Sequence, residues 1–320
     1  MEKAGMRKGD GIGGCVAMPE KTLDIKKMEE GWLITGGTFA CPSCNAVLGI
    51  KLALKALGKN TIMVNPSGCM TLTATYPYTA YKIPWVHNAI ENAAATAAGI
   101  GMGLKAKGKA KGINVVPFAG DGATYDIGFQ SLSGAASRND DIIYICYNNE
   151  TFANTGFEQT AATPLYASTS TTPAVKKLPG NLHFRKDMMK IMVAHNIPYA
   201  ATASTAFPLD FMQKLKKASK IRGFKYIELL CACAGWGLKE GEWIECGKRM
   251  VMSGLWPVYE VEGKRMRITV EPSMEPLGKA LMMQKRFSHL TKGQIAHIQK
   301  IVNAEWKLLR AGKLCEAVEW

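Results

Sequence analysis

Apolar positions along the chain fall into short, nearly continuous runs separated by stretches of helical spacing. TIMVN (61–65), INVVPFAG (113–120), DIIYICYNN (141–149) and FKYIELLCAC (224–233) have strand length and are rich in Val, Ile and aromatic residues. NAVLGIKLALKAL after Cys44, DIGFQSLSGAASRN (126–139) and PLDFMQKLKKASK (208–220) place apolar residues three and four apart, which predicts helices. HNAIENAAATAAGIGMGLKAKG (87–108) is Ala-rich, ends in Gly and predicts a further helix. Runs that are apolar throughout and alternate with helices predict an α/β fold: a mostly parallel sheet with helices on both faces. GLWPVYEVEGKRMRI reads as a hairpin turning at Glu262-Gly263, and LTKGQIAHIQKIVNAEWKLLRAG as a terminal helix with Thr291 as N-cap. Between 156 and 182 lies a long Thr/Ser/Ala/Pro stretch, a length that in compact domains goes with function or disorder. The expected organisation is an N-terminal extension over 1–35, an α/β domain over 36–238 and a C-terminal extension over 239–320.

Composition narrows the class. With 320 residues, 47% hydrophobic and 21% charged, the chain can bury a full core and is not a disordered sequence. No apolar run reaches the length of about 18 residues that a membrane span needs. The start, MEKAGMRKGDGIGGCVAMPEK, lacks an apolar signal region, so a cytoplasmic location is expected. The net charge of +14 favours anionic partners: nucleic acid, phosphorylated cofactors or an acidic protein. The basic residues are scattered, concentrating only at KAKGKAK (105–111), with no Arg-rich block or RNA-binding aromatic signature. Nucleic acid is therefore not the expected partner.

Nine cysteines, at 15, 41, 44, 69, 146, 231, 233, 246 and 315, argue against a disulfide framework in a cytosolic chain. Cys41 and Cys44 form CPSC just before a helix. Cys69 sits in NPSGC after a strand, and Cys231 and Cys233 form CAC at the end of another. Thiolates at strand ends and helix starts can point at one centre, as Zn²⁺ with Cys₄ ligation or as an iron–sulfur cluster. Their wide spacing favours a cluster held between elements over a compact zinc ribbon. Cys146 lies inside an apolar run and is expected in the core. Cys15, Cys246 and Cys315 have no ligand-type neighbours at useful spacing and are read as structural or free thiols.

Two further strand ends carry hard oxygen ligands. VVPFAG runs into Gly120-Asp121-Gly122, and IIYICY into Asn148-Asn149, 28 residues beyond Asp121. In open α/β sheets ligands bind beyond the carboxyl ends of the strands. Asp121 in a Gly-flanked turn, the Asn149 carboxamide and the Thr151 carbonyl could hold Mg²⁺ shared with a diphosphate. The helix beginning near Asp126 would add backbone N–H donors.

GDG followed by Asn149 resembles the thiamine diphosphate fingerprint. The segment GDGATYDIGFQSLSGAASRNDDIIYICYNNETFANTGFEQTAATP looks like the thiamine-binding part of 2-oxoacid:ferredoxin oxidoreductase β subunits, those of pyruvate synthase in particular. CPSCNAVLGIKLALKALG, IPWVHNAIENAAATAAGI, SGLWPVYEVEGK and QKRFSHLT agree, so the resemblance spans residues 35–310. It implies the diphosphate-binding half of a thiamine fold, with Gly120, Asp121, Gly122, Asn149 and Thr151 at the cofactor and Asp121, Asn149 and Thr151 as Mg²⁺ ligands. It maps Cys41, Cys44 and Cys69 onto ligands of one [4Fe–4S] cluster. The fourth ligand falls in Cys231-Ala-Cys233-Ala-Gly-Trp236, where the family has Cys-Pro-x-Gly-Trp; Cys233 is expected, with Cys231 as the alternative. Asn154 matches a family residue beside the reactive carbon.

The implied activity is thiamine-dependent oxidative decarboxylation of a 2-oxoacid to acyl-coenzyme A and CO₂, with electrons passing through the cluster to ferredoxin. Pyruvate is the expected substrate; 2-oxoisovalerate, an aryl glyoxylate and oxalate remain open. Implied partners are an α chain that binds the pyrimidine, γ and ferredoxin-like δ chains or their fused equivalents, ferredoxin and coenzyme A. Only one thiamine half is legible here. Glu91 is a candidate for the carboxylate at the aminopyrimidine, but the family supplies that acid from the α subunit. His87 falls in a family-like segment, whereas His183, His195, His289 and His297 read as surface or core residues. Two other readings compete: a non-oxidative thiamine decarboxylase, which leaves the cysteines unexplained, and a zinc-stabilised basic nucleic-acid-binding module, which leaves GDG and Asn149 unexplained.

Overall fold

The computed structural model describes residues 28, 30–314 and 316. Most of the expected N-terminal extension, with Cys15, and also Cys315, lie outside the described residues. In chain order the elements are α1 (Asn45–Leu57), β1 (Thr61–Pro66), β2 (Trp85–Asn88), α2 (Ala93–Ala106), β3 (Asn114–Gly120), α3 (Phe129–Ser137) and β4 (Ile143–Asn148). There follow β5 (Ala174–Val175), β6 (Leu178–Pro179), α4 (Met188–Ala194), β7 (Tyr199–Ser204), α5 (Pro208–Ala218) and β8 (Lys225–Leu230). The chain ends with α6 (Trp243–Met252), β9 (Val258–Glu262), β10 (Arg265–Val270), α7 (Leu277–Met282) and α8 (Lys292–Arg310).

Eight strands form one sheet in the order β10-β9-β7-β8-β4-β3-β1-β2, and β5 pairs only with β6. From β7 to β2 every pairing is parallel, whereas β9 joins β7 and β10 antiparallel. The C-terminal hairpin thus continues the main sheet. Alternation along β4 shows why both faces need cover. Ile143, Ile145 and Tyr147 pack with α1 and α5 through Ile50, Leu54, Phe211 and Leu215, while Tyr144 and Cys146 face α2, α3, α4 and α8. Cys146 is fully buried there, as its apolar run predicts.

Several elements follow their local chemistry closely. α1 occupies the stretch its spacing predicts and stops at Gly58, whose φ of 78° suits glycine. Thr291 caps α8 in a capping box: its hydroxyl accepts from the Gln294 N–H at 3.3 Å, and Gln294 Oε1 accepts from the Thr291 N–H at 2.8 Å. Other expectations need correction. His87 and Asn88 do not begin a helix; they belong to edge strand β2, where His87 aligns with Asn65 of β1. The helix starts at Ala93, because pairing with an adjacent strand overrides the helical bias of an Ala-rich sequence. The segment from Asp126 opens later than expected: a π-type turn covers Gly122–Asp126 and α3 begins at Phe129. Among the described residues no helix is long and apolar enough to cross a membrane.

Candidate active site

Topology gathers the sequence motifs at one edge of the sheet. β1, β3, β4 and β8 are consecutive, parallel neighbours, so the residues following each lie side by side. Those residues are Cys69, Asp121, Asn149 and Cys231–Cys233. A connection of only three residues separates α1 from β1, so α1 runs against β1 and its N-terminus returns to the same edge. Cys41 and Cys44 immediately precede that N-terminus.

Asp121 is fully buried. Its Oδ2 accepts from the Thr160 hydroxyl at 2.7 Å and its Oδ1 from the Asn149 backbone N–H at 3.2 Å. Burial pushes its carboxyl up to about 8, only partly offset by those two donors. The Asn149 carboxamide places one end 2.8 Å from Asp121 Oδ1 and 2.8 Å from the Thr151 carbonyl oxygen. With nitrogen at that end the amide donates to both. With oxygen there, it stands beside two further oxygens, the ligand chemistry of a hard cation. Asp121, Asn149 and Thr151, expected from sequence to act together, are thus brought together. Gly122 sits under Phe152: a Cβ there would lie 2.0 Å from Phe152 Cε1.

The turn after β4 is held from several directions. The Asn148 Nδ2 donates to Glu228 Oε1 at 2.8 Å, and Asn148 Oδ1 accepts from the Glu150 N–H at 2.9 Å. Glu150 takes a left-handed conformation, φ 61°, and its carboxylate is ion-paired to the buried Arg286. Its carbonyl accepts from the Thr163 hydroxyl at 2.7 Å. The Trp236 indole N–H donates to the Asn149 carbonyl at 2.8 Å. Sequence reasoning missed Thr160, Glu150 and Arg286. Thr160 and Arg286 meet the site through partners tens of residues away, and Glu150, though it lies between Asn149 and Thr151, shows its role only through its pairing with Arg286.

The four candidate cysteine ligands feel one another. Burial, then the charges of Cys233, Cys44 and Cys41, push the Cys69 thiol up to about 12. Burial also pushes Cys233 up to about 12; the Gly235 N–H opposes this, Cys44 and Cys41 add to it, and Arg286 opposes it. Cys231 is 1% exposed, packs in the core among Ile50, Met70 and Leu229, and extends the β8 ladder by donating its N–H to the Asn148 carbonyl at 2.8 Å. Cys233 is less buried and opens the 3-10 turn Ala234–Trp236. Among the described residues no three His, Cys, Asp or Glu side chains are close enough to hold a single metal ion.

The remaining candidates are placed as follows. Asn154 is exposed, in the turn 153–156 closed by the Phe152–Glu158 bridge. His87 stacks on Trp85, ring centroids 6.0 Å apart, and its Nδ1 lies 3.1 Å from the Asn65 carbonyl. The Glu91 carbonyl accepts from the Ser131 hydroxyl at 2.6 Å. Cys246 is buried in α6.

The thiamine pyrophosphate enzyme C-terminal TPP-binding domain matches residues 66–229. Pyruvate synthase subunit PorB of Methanothermobacter marburgensis is 47% identical over 89% of this chain and 99% of its own length. The chain belongs to the β subunits of the 2-oxoacid:ferredoxin oxidoreductases. As a subunit of such an oxidoreductase, it works as one component of a hetero-oligomeric enzyme. Ketoisovalerate oxidoreductase subunit VorB of Pyrococcus abyssi is 42% identical over 88% of this chain and 92% of its own length. Among solved structures, the 2-oxoglutarate:ferredoxin oxidoreductase of Magnetococcus marinus, with 2-oxoglutarate, coenzyme A and succinyl-CoA bound, superposes with a TM-score of 0.57. That match covers 87% of this chain and 96% of that one at 18% identity, a likeness of fold.

Proposed function

We propose that this β subunit holds thiamine diphosphate and Mg²⁺ at the ends of β3 and β4 and serves the oxidative decarboxylation of pyruvate to acetyl-coenzyme A and CO₂. The observation that carries the reading is the Asn149 carboxamide end that lies 2.8 Å from both Asp121 Oδ1 and the Thr151 carbonyl oxygen. Asp121, Asn149 and Thr151 would hold Mg²⁺, with Gly120 and Gly122 lining the approach of the diphosphate. Bound thiamine diphosphate supplies an electron sink for decarboxylation. The chain's own part is to fix the cation ligands, shield the diphosphate end from water and present the turn bearing Asn154 to the reacting end.

Cys41, Cys44, Cys69 and Cys233 would hold one [4Fe–4S] cluster at the same sheet edge, a short step from the diphosphate. Cys233 is chosen over Cys231 because Cys231 is committed to the core and to the β8 ladder. Electrons would leave through that cluster toward ferredoxin. The α, γ and δ chains or their fused equivalents complete the enzyme, the α chain supplying the pyrimidine half. The exposed aromatic rings of Phe39, two residues before Cys41, and Tyr78, 6.3 Å apart, suit burial against such a partner. A cytoplasmic location fits this assembly.

A second substrate reading, 2-oxoisovalerate, is favoured by the ketoisovalerate relatives at 42% identity. The test is anaerobic purification with the partner chains, followed by coenzyme A-dependent ferredoxin reduction with pyruvate, 2-oxoisovalerate, an aryl glyoxylate and oxalate. The highest kcat/KM with pyruvate is expected. A preference for 2-oxoisovalerate overturns the substrate, and no ferredoxin reduction with any of them overturns the reading.

A further inference from the structure

The segment QKRFSHLT has no part in the cation ligands or the cysteine set, yet it sends one side chain between them. Arg286 is 5% exposed and its ion-pair partner Glu150 is 1% exposed. Glu150 stands between Asn149 and Thr151, the two ligands that follow β4. Among the described residues Arg286 is the only side chain bonded to the Glu150 carboxylate, whose other oxygen has no partner. The guanidinium carbon lies 4.0 Å above the Trp236 ring. The Trp236 indole in turn donates to the Asn149 carbonyl at 2.8 Å. Gln284 Oε1 accepts from Arg286 Nε at 2.9 Å and Nη2 at 2.7 Å, and its own Nε2 donates to the Ala280 carbonyl at 3.0 Å. The guanidinium is therefore aimed by the end of α7.

We propose that Arg286 is a positioning residue for the divalent cation. It pins Glu150 by charge and Trp236 by stacking, and these two hold the left-handed turn that directs the Asn149 carboxamide and the Thr151 carbonyl at Asp121. Glu150 is the only residue of that turn with positive φ, a conformation L residues avoid and that needs outside support. A planar guanidinium meets both demands at once: its edge bonds carboxylate and amide oxygens while its face rests on the indole. An ammonium could supply the charge but not the stacked plane. The carboxyl-terminal part of the chain thereby sets how firmly the sheet edge grips its cation. The proposal rests on the thiamine and Mg²⁺ reading above.

The test uses the enzyme co-expressed with its partner chains, stripped of cofactor and titrated with Mn²⁺ as an EPR-visible probe, with and without thiamine diphosphate. Arg286→Lys keeps the charge but not the stacked plane, and Trp236→Phe keeps an aromatic ring but removes the indole donor. Arg286→Met combined with Glu150→Gln removes both buried charges together, so neither is left unpaired. Each folded variant is expected to bind Mn²⁺ at least ten-fold more weakly than wild type, with the loss falling on Mn²⁺ affinity and kcat rather than on the Michaelis constant for pyruvate. Unchanged Mn²⁺ affinity in Trp236→Phe and Arg286→Lys would overturn the positioning role, whether or not the double variant folds. A wild-type enzyme that binds no Mn²⁺ with thiamine diphosphate would instead overturn the cofactor reading, and this proposal with it.

Discussion

Thr160 donates its hydroxyl to Asp121 Oδ2 at 2.7 Å across 39 residues of chain. The bond fixes which oxygen of the carboxylate is spoken for. Oδ2 is turned to Thr160, so Oδ1 faces Asn149 and Thr151. Thr160 is itself aligned, because its backbone N–H donates to Thr163 Oγ1 at 2.9 Å.

Replacing Thr160 by Val keeps the shape and removes that donor. A hydrogen bond to a charged group contributes roughly 1.5–3 kcal/mol. Thr160→Val is therefore expected to weaken binding of Mn²⁺ with thiamine diphosphate by about ten-fold or more. Equilibrium titration of the stripped enzyme checks it; unchanged affinity would mean that Oδ2 needs no donor.

The cysteines give a sharper contrast. Cys231→Ala should leave the iron and acid-labile sulfide of the assembled enzyme at the wild-type level, while Cys233→Ala and Cys69→Ala should each lose about four of both per β chain. Cys231→Ala should cost on the order of 1 kcal/mol through a small core cavity. Anaerobic metal and sulfide analysis beside thermal unfolding reads both effects. Loss of iron in Cys231→Ala with retention in Cys233→Ala would reverse the assignment.

How far the sequence carries can be judged from particular residues. Asp121 and Asn149 were legible because each sits where a fully apolar run stops, and such runs in an α/β chain end at the ligand edge. β7 was not legible: YAATAS is short, rich in Ala and buried on both faces, so it shows neither alternation nor strong strand propensity. His87 and Asn88 read as helical from their own sequence because their strand character comes from pairing with β1. Arg286 meets Glu150 across 136 residues, and no spacing rule reaches that far. The long Thr-rich stretch gave warning only by its length, yet it supplies Thr160 and Thr163.

Acid sensitivity should trace partly to Glu260 on β9. Burial alone would raise its carboxyl. Hydrogen bonds from Tyr199 at 2.7 Å and Lys217 at 2.9 Å, with the charges of Lys217 and Arg267, outweigh burial and hold it below the usual range. Its stabilising contribution is complete above the unfolded value of about 4.3 and fades as pH falls through the lowered folded value. Both cations are about a third exposed, so solvent screens the pairs and the contribution is on the order of 1–2 kcal/mol. Glu260→Gln should lower the thermal midpoint at pH 7 and lie nearer wild type in strong acid. An offset that stays constant with pH would show that the charge contributes nothing.

Ferredoxin docking should respond to salt. A chain of net charge +14 attracts an acidic partner through fields that salt screens within about 8 Å at physiological ionic strength. Raising ionic strength should increase the apparent KM for ferredoxin while leaving kcat with saturating ferredoxin unchanged. A KM insensitive to salt would remove electrostatic steering from the account.

Gly122 offers a test of the diphosphate edge that touches no proposed ligand. A methyl group there would fall 2.0 Å from Phe152 Cε1 and 2.4 Å from Cδ1, separations no packed side chain tolerates. The Phe152 backbone is held on both sides, its N–H donating to the Glu158 carbonyl at 3.0 Å and its carbonyl accepting from the Phe157 N–H at 2.9 Å. Gly122→Ala must therefore displace the ring against the turn 152–158, which carries Asn154, at a cost of roughly 1–3 kcal/mol. Phe152 follows Thr151 directly, so strain at the ring is passed to the residue whose carbonyl lies 2.8 Å from the Asn149 carboxamide. The variant is expected to fold, to bind thiamine diphosphate more weakly and to lose most of its turnover. Pairing Gly122→Ala with Phe152→Ala removes the ring that the new methyl meets. Recovery of cofactor affinity in that pair would locate the effect in this contact, and continued loss would place it in the backbone of the Gly120-Asp121-Gly122 turn itself.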